Sequence, residues 1–230
     1  MFEERSMVSG GNVTLITTSL IHPLLFPKSQ LMTYAQQHRN FLKGYHLAFK
    51  LRGRKKDWPA ILELWQTAAA QGHKRAQFYL ASLYDNGWGI PQDISQAFNW
   101  YMKAAEQGHM ESMFNIGVFY YKGEVVEQNY KTAVRWYTRS AIKGDYRAQH
   151  SLGVCYFYGE GVKKNDKNAV FWYKKAAKAG FLNSIFNLGL CYKFGDGVPQ
   201  SHRWAKYYFQ KAAEKGHKRA LGQLRRHYGE

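Results

Sequence analysis

Histidines, two cysteines and recurring Gly-x-Gly pairs are the residues of this chain that could do chemistry. A histidine beside a nucleophile would serve hydrolysis, thiolates would serve metal or redox work, and glycine loops could cradle phosphate. Their spacing argues otherwise. His73, His109 and His217 each follow a glycine directly, with Asp145 and Phe181 at the matching places in between, and no serine, cysteine or carboxylate stands out beside a histidine as a nucleophile or a paired acid and base. Cys155 and Cys191 lie one 36-residue period apart, where Leu83 and Phe119 stand in the preceding periods, which makes them core side chains. Matching positions on packed neighbouring helices are about 10 Å apart, too far for a disulfide, so two free, buried thiols are predicted. No histidine or cysteine recurs at metal-ligand spacing, and no catalytic residue, metal or cofactor is expected. The pairs Gly87/Gly89, Gly159/Gly161 and Gly195/Gly197 follow a helical pattern rather than a strand and lack a third glycine or a P-loop lysine, so they read as turns.

The elements that carry these residues repeat every 36 positions without insertion from Lys74 to His217. Gly72, Gly108, Gly144, Gly180 and Gly216 set the frame, with Tyr84, Tyr120, Tyr156 and Tyr192 between them. Ala97, Ala133, Ala169 and Ala205 recur next, followed by Trp100, Trp136, Trp172 and Tyr208. Within the third unit Ala148, Leu152, Cys155, Tyr156 and Gly159 fall on one helical stripe. After the turn, Ala169, Tyr173, Ala176 and Ala177 form a second stripe, which Gly180 ends where positive φ is cheapest. Each unit is therefore a helical hairpin, and since one hairpin cannot bury both faces the units must stack.

The run Ala148, Leu152, Gly153, Tyr156, Gly159, Gly161, Val162, then Ala169, Trp172, Tyr173, Lys175, Ala176, Ala177 and Gly180 resembles the Sel1-like repeat, a relative of the tetratricopeptide repeat. The resemblance implies an all-α, right-handed α-solenoid of antiparallel helix pairs. Full units are expected at 74–109, 110–145, 146–181 and 182–217, with a capping helix at 218–230. A degenerate unit at 37–73 carries Gly53 in its turn and Leu64-Trp65 at the aromatic pair. Departures are local: Ala81 replaces the first-helix glycine in unit one, Val125 the second turn glycine in unit two, and Tyr208-Phe209 the Trp-Tyr pair in unit four. Residues 1–36 fall outside the pattern, and the apolar run Val13–Phe26, broken by polar residues and Pro23, reads as mature sequence rather than a signal peptide. No run is long enough to span a membrane, and with two cysteines a disulfide-stapled secreted scaffold is not indicated. A bacterial cytoplasmic location is expected.

Net charge is +17, distributed as +6 over residues 1–57, zero over 58–145 and +11 over 146–230. Such a balance attracts acidic proteins, nucleic acid or anionic lipid. By resemblance to tetratricopeptide arrays the first helix of each hairpin lines a concave face, whose offset positions form three rows: Phe78, Phe114, His150 and Phe186; Ser82, Val118, Val154 and Leu190; Asp85, Tyr121, Phe157 and Lys193. This trough is the candidate partner-binding face, with Lys218, Arg219, Arg225 and Arg226 as a basic patch. Tyr121 and Phe157 look locally chosen and are expected to tolerate alanine without loss of stability. The family resemblance implies an adaptor or scaffold that binds another protein, an acidic one by charge, or in a narrower form a bacterial immunity or regulatory protein. A nucleic-acid-binding repeat protein using the basic surface stands as an alternative. So does a weak hydrolase of the β-lactam-binding type, although the cysteine framework of the family's secreted branch is missing.

Overall fold

The computed structural model describes residues 28–50 and 56–229, and the readings of Val13–Phe26 and Gly53 lie outside them. Among the described residues all regular structure is helical, in eleven α-helices and one π-helical turn. The first pair is α1 (Lys28–Tyr45), which widens into the π-helical turn His46–Lys50, and α2 (Trp58–Ala70). Four full hairpins follow: α3 (Lys74–Asn86) with α4 (Ile94–Glu106), α5 (Met110–Lys122) with α6 (Tyr130–Ile142), α7 (Tyr146–Tyr158) with α8 (Asp166–Lys178), and α9 (Leu182–Phe194) with α10 (His202–Ala213). Helix α11 (Lys218–Tyr228) stacks against α10. Each helix packs on the next in sequence, as a solenoid of hairpins requires. Helix α1 runs through position 36, so it extends further toward the amino terminus than the repeat pattern alone suggests.

Local chemistry fixes the helix ends. The second helix of each hairpin starts at an Asp, Asn or Ser whose side chain accepts a backbone N–H of the first turn, as Asn165 does from Asn168. The first helices use histidine or aspartate instead: His73, His109 and His217 each accept a backbone N–H through Nδ1, and Asp145 accepts two. Phe181 offers no such bond. The histidines that follow each closing glycine are thus helix caps.

The core is a chain of inter-helix contacts. The ring of Tyr137, Tyr173 or Phe209 occupies the space that a β-carbon would take at the first-helix glycine of its own hairpin, and every one of these residues is at most 3% exposed. Cys155 and Cys191 are buried and free, beside Leu152 in one cluster and Leu188 in the next.

Unit two departs from its neighbours at one turn. At Gly161 and Gly197 a β-carbon would lie 2.3 Å from the carbonyl oxygen of Tyr130 or Asp166, the first residues of the preceding second helices. In unit two the matching residue is Val125, held at φ 67° and half exposed beside a depression lined by Asp85, Gln92, Ile94 and Lys122. A β-branched side chain in the left-handed region costs about 1–2 kcal/mol, and little buried area is at stake here. Val125→Gly is expected to raise stability by about 1 kcal/mol, read as a higher urea midpoint at unchanged slope. A lower midpoint would show that the valine contributes packing that outweighs its backbone cost.

Candidate functional site

The first helices present the three rows read from the sequence, and the structure separates them. The first row belongs to the contacts between units. Phe78 stacks on His109 at 4.6 Å between ring centroids, and Phe114 lies under the Arg147 guanidinium at 4.6 Å. Phe186 is only 3% exposed, stacked on His217 at 4.6 Å and covered by Arg219 at 5.0 Å. The physical reason is the cap: the residue that starts the next hairpin folds back over this position. Phe186 thus forms the buried floor of a site, while Phe78 and Phe114 are part-buried.

Tyr121 is likewise engaged by the next unit. Its hydroxyl donates to Glu160 Oε2 at 2.8 Å and its ring meets Tyr130 at 5.1 Å, so it fastens unit two to unit three rather than standing free in the groove. Burial first, then Glu160, pushes its phenol up from the ordinary value. Alanine at this position removes a charge-assisted hydrogen bond and should lower the thermal midpoint, contrary to the expectation from pattern alone. Val118 packs part-buried beside it. Lys193 donates to Gln223 Oε1 on α11 at 2.9 Å.

What remains is a real cleft. Helices α7, α9 and α11 enclose a cavity of about 310 Å³ whose apolar side is Val154, Phe157, Phe186 and Leu190. Its polar side is His150, Asn183, Asn187, His217 and Arg219, with the exposed ring of Tyr158 at the mouth and Tyr173 inside. Five of the twelve residues in the three rows meet here: His150, Val154, Phe157, Phe186 and Leu190. Phe78, Ser82, Asp85, Phe114, Val118, Tyr121 and Lys193 do not line it. Of the basic patch only Arg219 does, while Lys218, Arg225 and Arg226 are exposed elsewhere on α11. Tyr158, Asn183 and Asn187 were missed by pattern reading. Tyr158 had a signal, because it shares its register with Asn86, Lys122 and Phe194 and so answers to no packing rule.

The electrostatics suit binding rather than catalysis. Burial lowers the His150 pKa to about 4, so its imidazole is neutral at pH 7, with Nδ1 hydrogen-bonded to Ser184 Oγ at 2.8 Å. Burial raises both thiols to about 12, which leaves Cys155 and Cys191 protonated and unreactive. Among the described residues there is no cluster of three His, Cys, Asp or Glu side chains placed to hold a metal.

The profile of the Sel1 repeat matches residues 62–73, 74–109, 111–145, 147–181 and 182–217, in register with the hairpins. The chain belongs to the Sel1 repeat family, whose members generally serve as protein-interaction scaffolds without enzymatic activity of their own. Among solved structures it is similar to the c5321 protein, a protective antigen of uropathogenic Escherichia coli strains with an SLR fold. The identity is 33% and the TM-score 0.77 over 87% of this chain, which spans 43% of that protein. A Sel1 repeat protein from Oxalobacter formigenes is 33% identical with a TM-score of 0.76, over 87% of this chain and 79% of that one. The immunity protein Pa5087 of Pseudomonas aeruginosa shares the fold at 23% identity and a TM-score of 0.52, over 80% of this chain and 68% of that one. No curated protein sequence matches the chain.

Proposed function

We propose that this protein is an interaction scaffold that holds a segment of a partner protein in the cleft between α7, α9 and α11. The observation that carries the reading is the composition of that cleft. Val154, Phe157 and Leu190 offer an apolar floor, and Asn183, Asn187 and Arg219 offer hydrogen-bond donors at its edge. Interfaces draw most of their energy from such apolar anchors ringed by polar groups. Arg219 forms no ion pair among the described residues, which favours an acidic group on the partner. A narrower form, in which the partner is a toxin or enzyme held inactive, draws support from the fold shared with an immunity protein and would be tested by the identity of the captured partner.

Phe157 is the anchor to remove. It is half-buried, meeting Tyr158 edge-on at 5.1 Å, and bonds to no polar group of the next unit. Phe157→Ala is expected to weaken partner capture tenfold or more, about 1.4 kcal/mol, with the thermal midpoint nearly unchanged. Titration by calorimetry against the captured partner checks it. A variant that folds and binds normally would move the interface elsewhere, and one that unfolds would make Phe157 a core residue.

A further inference from the structure

The two faces of the stack differ in charge. Helices α6, α8 and α10 carry ten Lys and Arg side chains against one carboxylate, Asp166. Helices α5, α7 and α9, which present the groove rows, carry three against one, Glu111. Helix α4 is balanced by Lys103 and Glu106. Eight of the ten outer cations are exposed, and none of those eight forms an ion pair among the described residues.

Exposed apolar groups stand among them. Phe171 is 51% exposed, Trp204 49%, Tyr207 45% and Ile142 74%. The repeat does not require them: Phe171 and Tyr207 take the place of Asn99 and Arg135, and Trp204 that of Gln96, Thr132 and Asn168. Lysine stems lie along the rings, with Lys175 Nζ 4.9 Å from the Phe171 centroid and Lys211 Nζ 5.7 Å from that of Tyr207. The result is a field of cations and rings three helices wide and about 20 Å long.

We propose that this outer face docks on an anionic lipid bilayer. The surface of such a bilayer takes basic heads at the level of the lipid phosphates and aromatic rings just below it. A nucleic-acid duplex would meet the same rings with sugar and phosphate, where their apolar faces gain nothing. The charges are divided among three separate helices, α6, α8 and α10, which suits an array of headgroups. Docking in this way leaves the cleft of the first helices directed away from the lipid, so the proposal stands independently of the partner proposed for that cleft.

Sedimentation with vesicles tests it. At about 0.15 M salt, phosphatidylcholine vesicles containing about 30% phosphatidylglycerol should pull down the full chain at least tenfold better than phosphatidylcholine alone. Each basic residue near an anionic surface strengthens attachment about fivefold, so Lys167→Glu/Lys174→Glu/Arg203→Glu should weaken it by about 100-fold or more. Phe171→Ser/Trp204→Ser/Tyr207→Ser should weaken it about tenfold with the helical signal retained. Reversing Lys218, Arg225 and Arg226 on α11 to glutamate should change it little. Equal association with both vesicle types would overturn the proposal. So would an aromatic variant that binds like the parent, or an α11 variant that binds as poorly as the outer-face one, since either would reduce the effect to net charge. Preference for a short single-stranded RNA over the vesicles at the same salt would assign the face to nucleic acid instead.

Discussion

Gly153→Val is expected to destabilise the protein by about 3 kcal/mol, the upper end of what overpacking a core ordinarily costs. A β-carbon at Gly153 would lie 2.4 Å from both Cδ1 and Cε1 of Tyr173, whose ring is 2% exposed and could yield only toward the cleft it lines. That ring also reaches Asn187 in the next unit, so displacing it disturbs two interfaces at once. Units of a solenoid are stabilised by their neighbours, and the damage should fall on α7 to α10 and empty the cleft of its shape. Gly153→Ala should cost only about 1 kcal/mol, because unit one already carries a fully buried Ala81 at the matching place under Tyr101. Urea denaturation of the two variants decides the point, and a valine variant with the parent's midpoint would contradict the packing described.

Acid should destabilise the fold well above the carboxylate range. His73, His109 and His217 have lowered pKa values, burial being the largest cause in each, and their Nδ1 atoms accept backbone N–H groups. Protonation removes that acceptor. Burial alone holds His150 at about 4. For groups whose folded pKa lies below the unfolded value of about 6.5, the stabilisation is fully present above that value and is lost as pH falls toward the folded pKa. Urea midpoints should therefore fall between about pH 6.5 and pH 4, with His150 alone accounting for on the order of 3 kcal/mol. His150→Phe/Ser184→Ala restores the pairing found in the second unit's Phe114 and the third unit's Ala148, and it should flatten much of that slope. A pH profile unaffected by this pair would remove His150 from the account.

The array was legible in the sequence because its causes are local and repeated. A glycine that ends a helix, an alanine that allows close approach and a tryptophan that fills a gap each act within one hairpin, and four copies average out the exceptions. The groove was less legible, since exposure on a first helix depends on which residue starts the next one. Phe186 and Tyr121 sit at positions that a helical wheel turns outward, yet the capping His217 covers the first and Glu160 of the following unit bonds the second. Asn183 and Asn187 drew no notice because Arg147 and Ser151 stand at the matching places one unit earlier, and only the approach of α11 makes them the wall of a cleft. The unbalanced sum of lysines and arginines on the second helices, and the rings among them, likewise show only when three helices are placed side by side.

Photo-cross-linking in the source cell tests the proposed interface most directly. A photoreactive side chain placed at Phe157 or Leu190 should yield one discrete protein adduct that excess unlabelled chain competes away, while the same group at Lys174 on the outer face should not yield that adduct. A competed protein adduct from position 174, with none from 157 or 190, would contradict the reading of the cleft as the partner site.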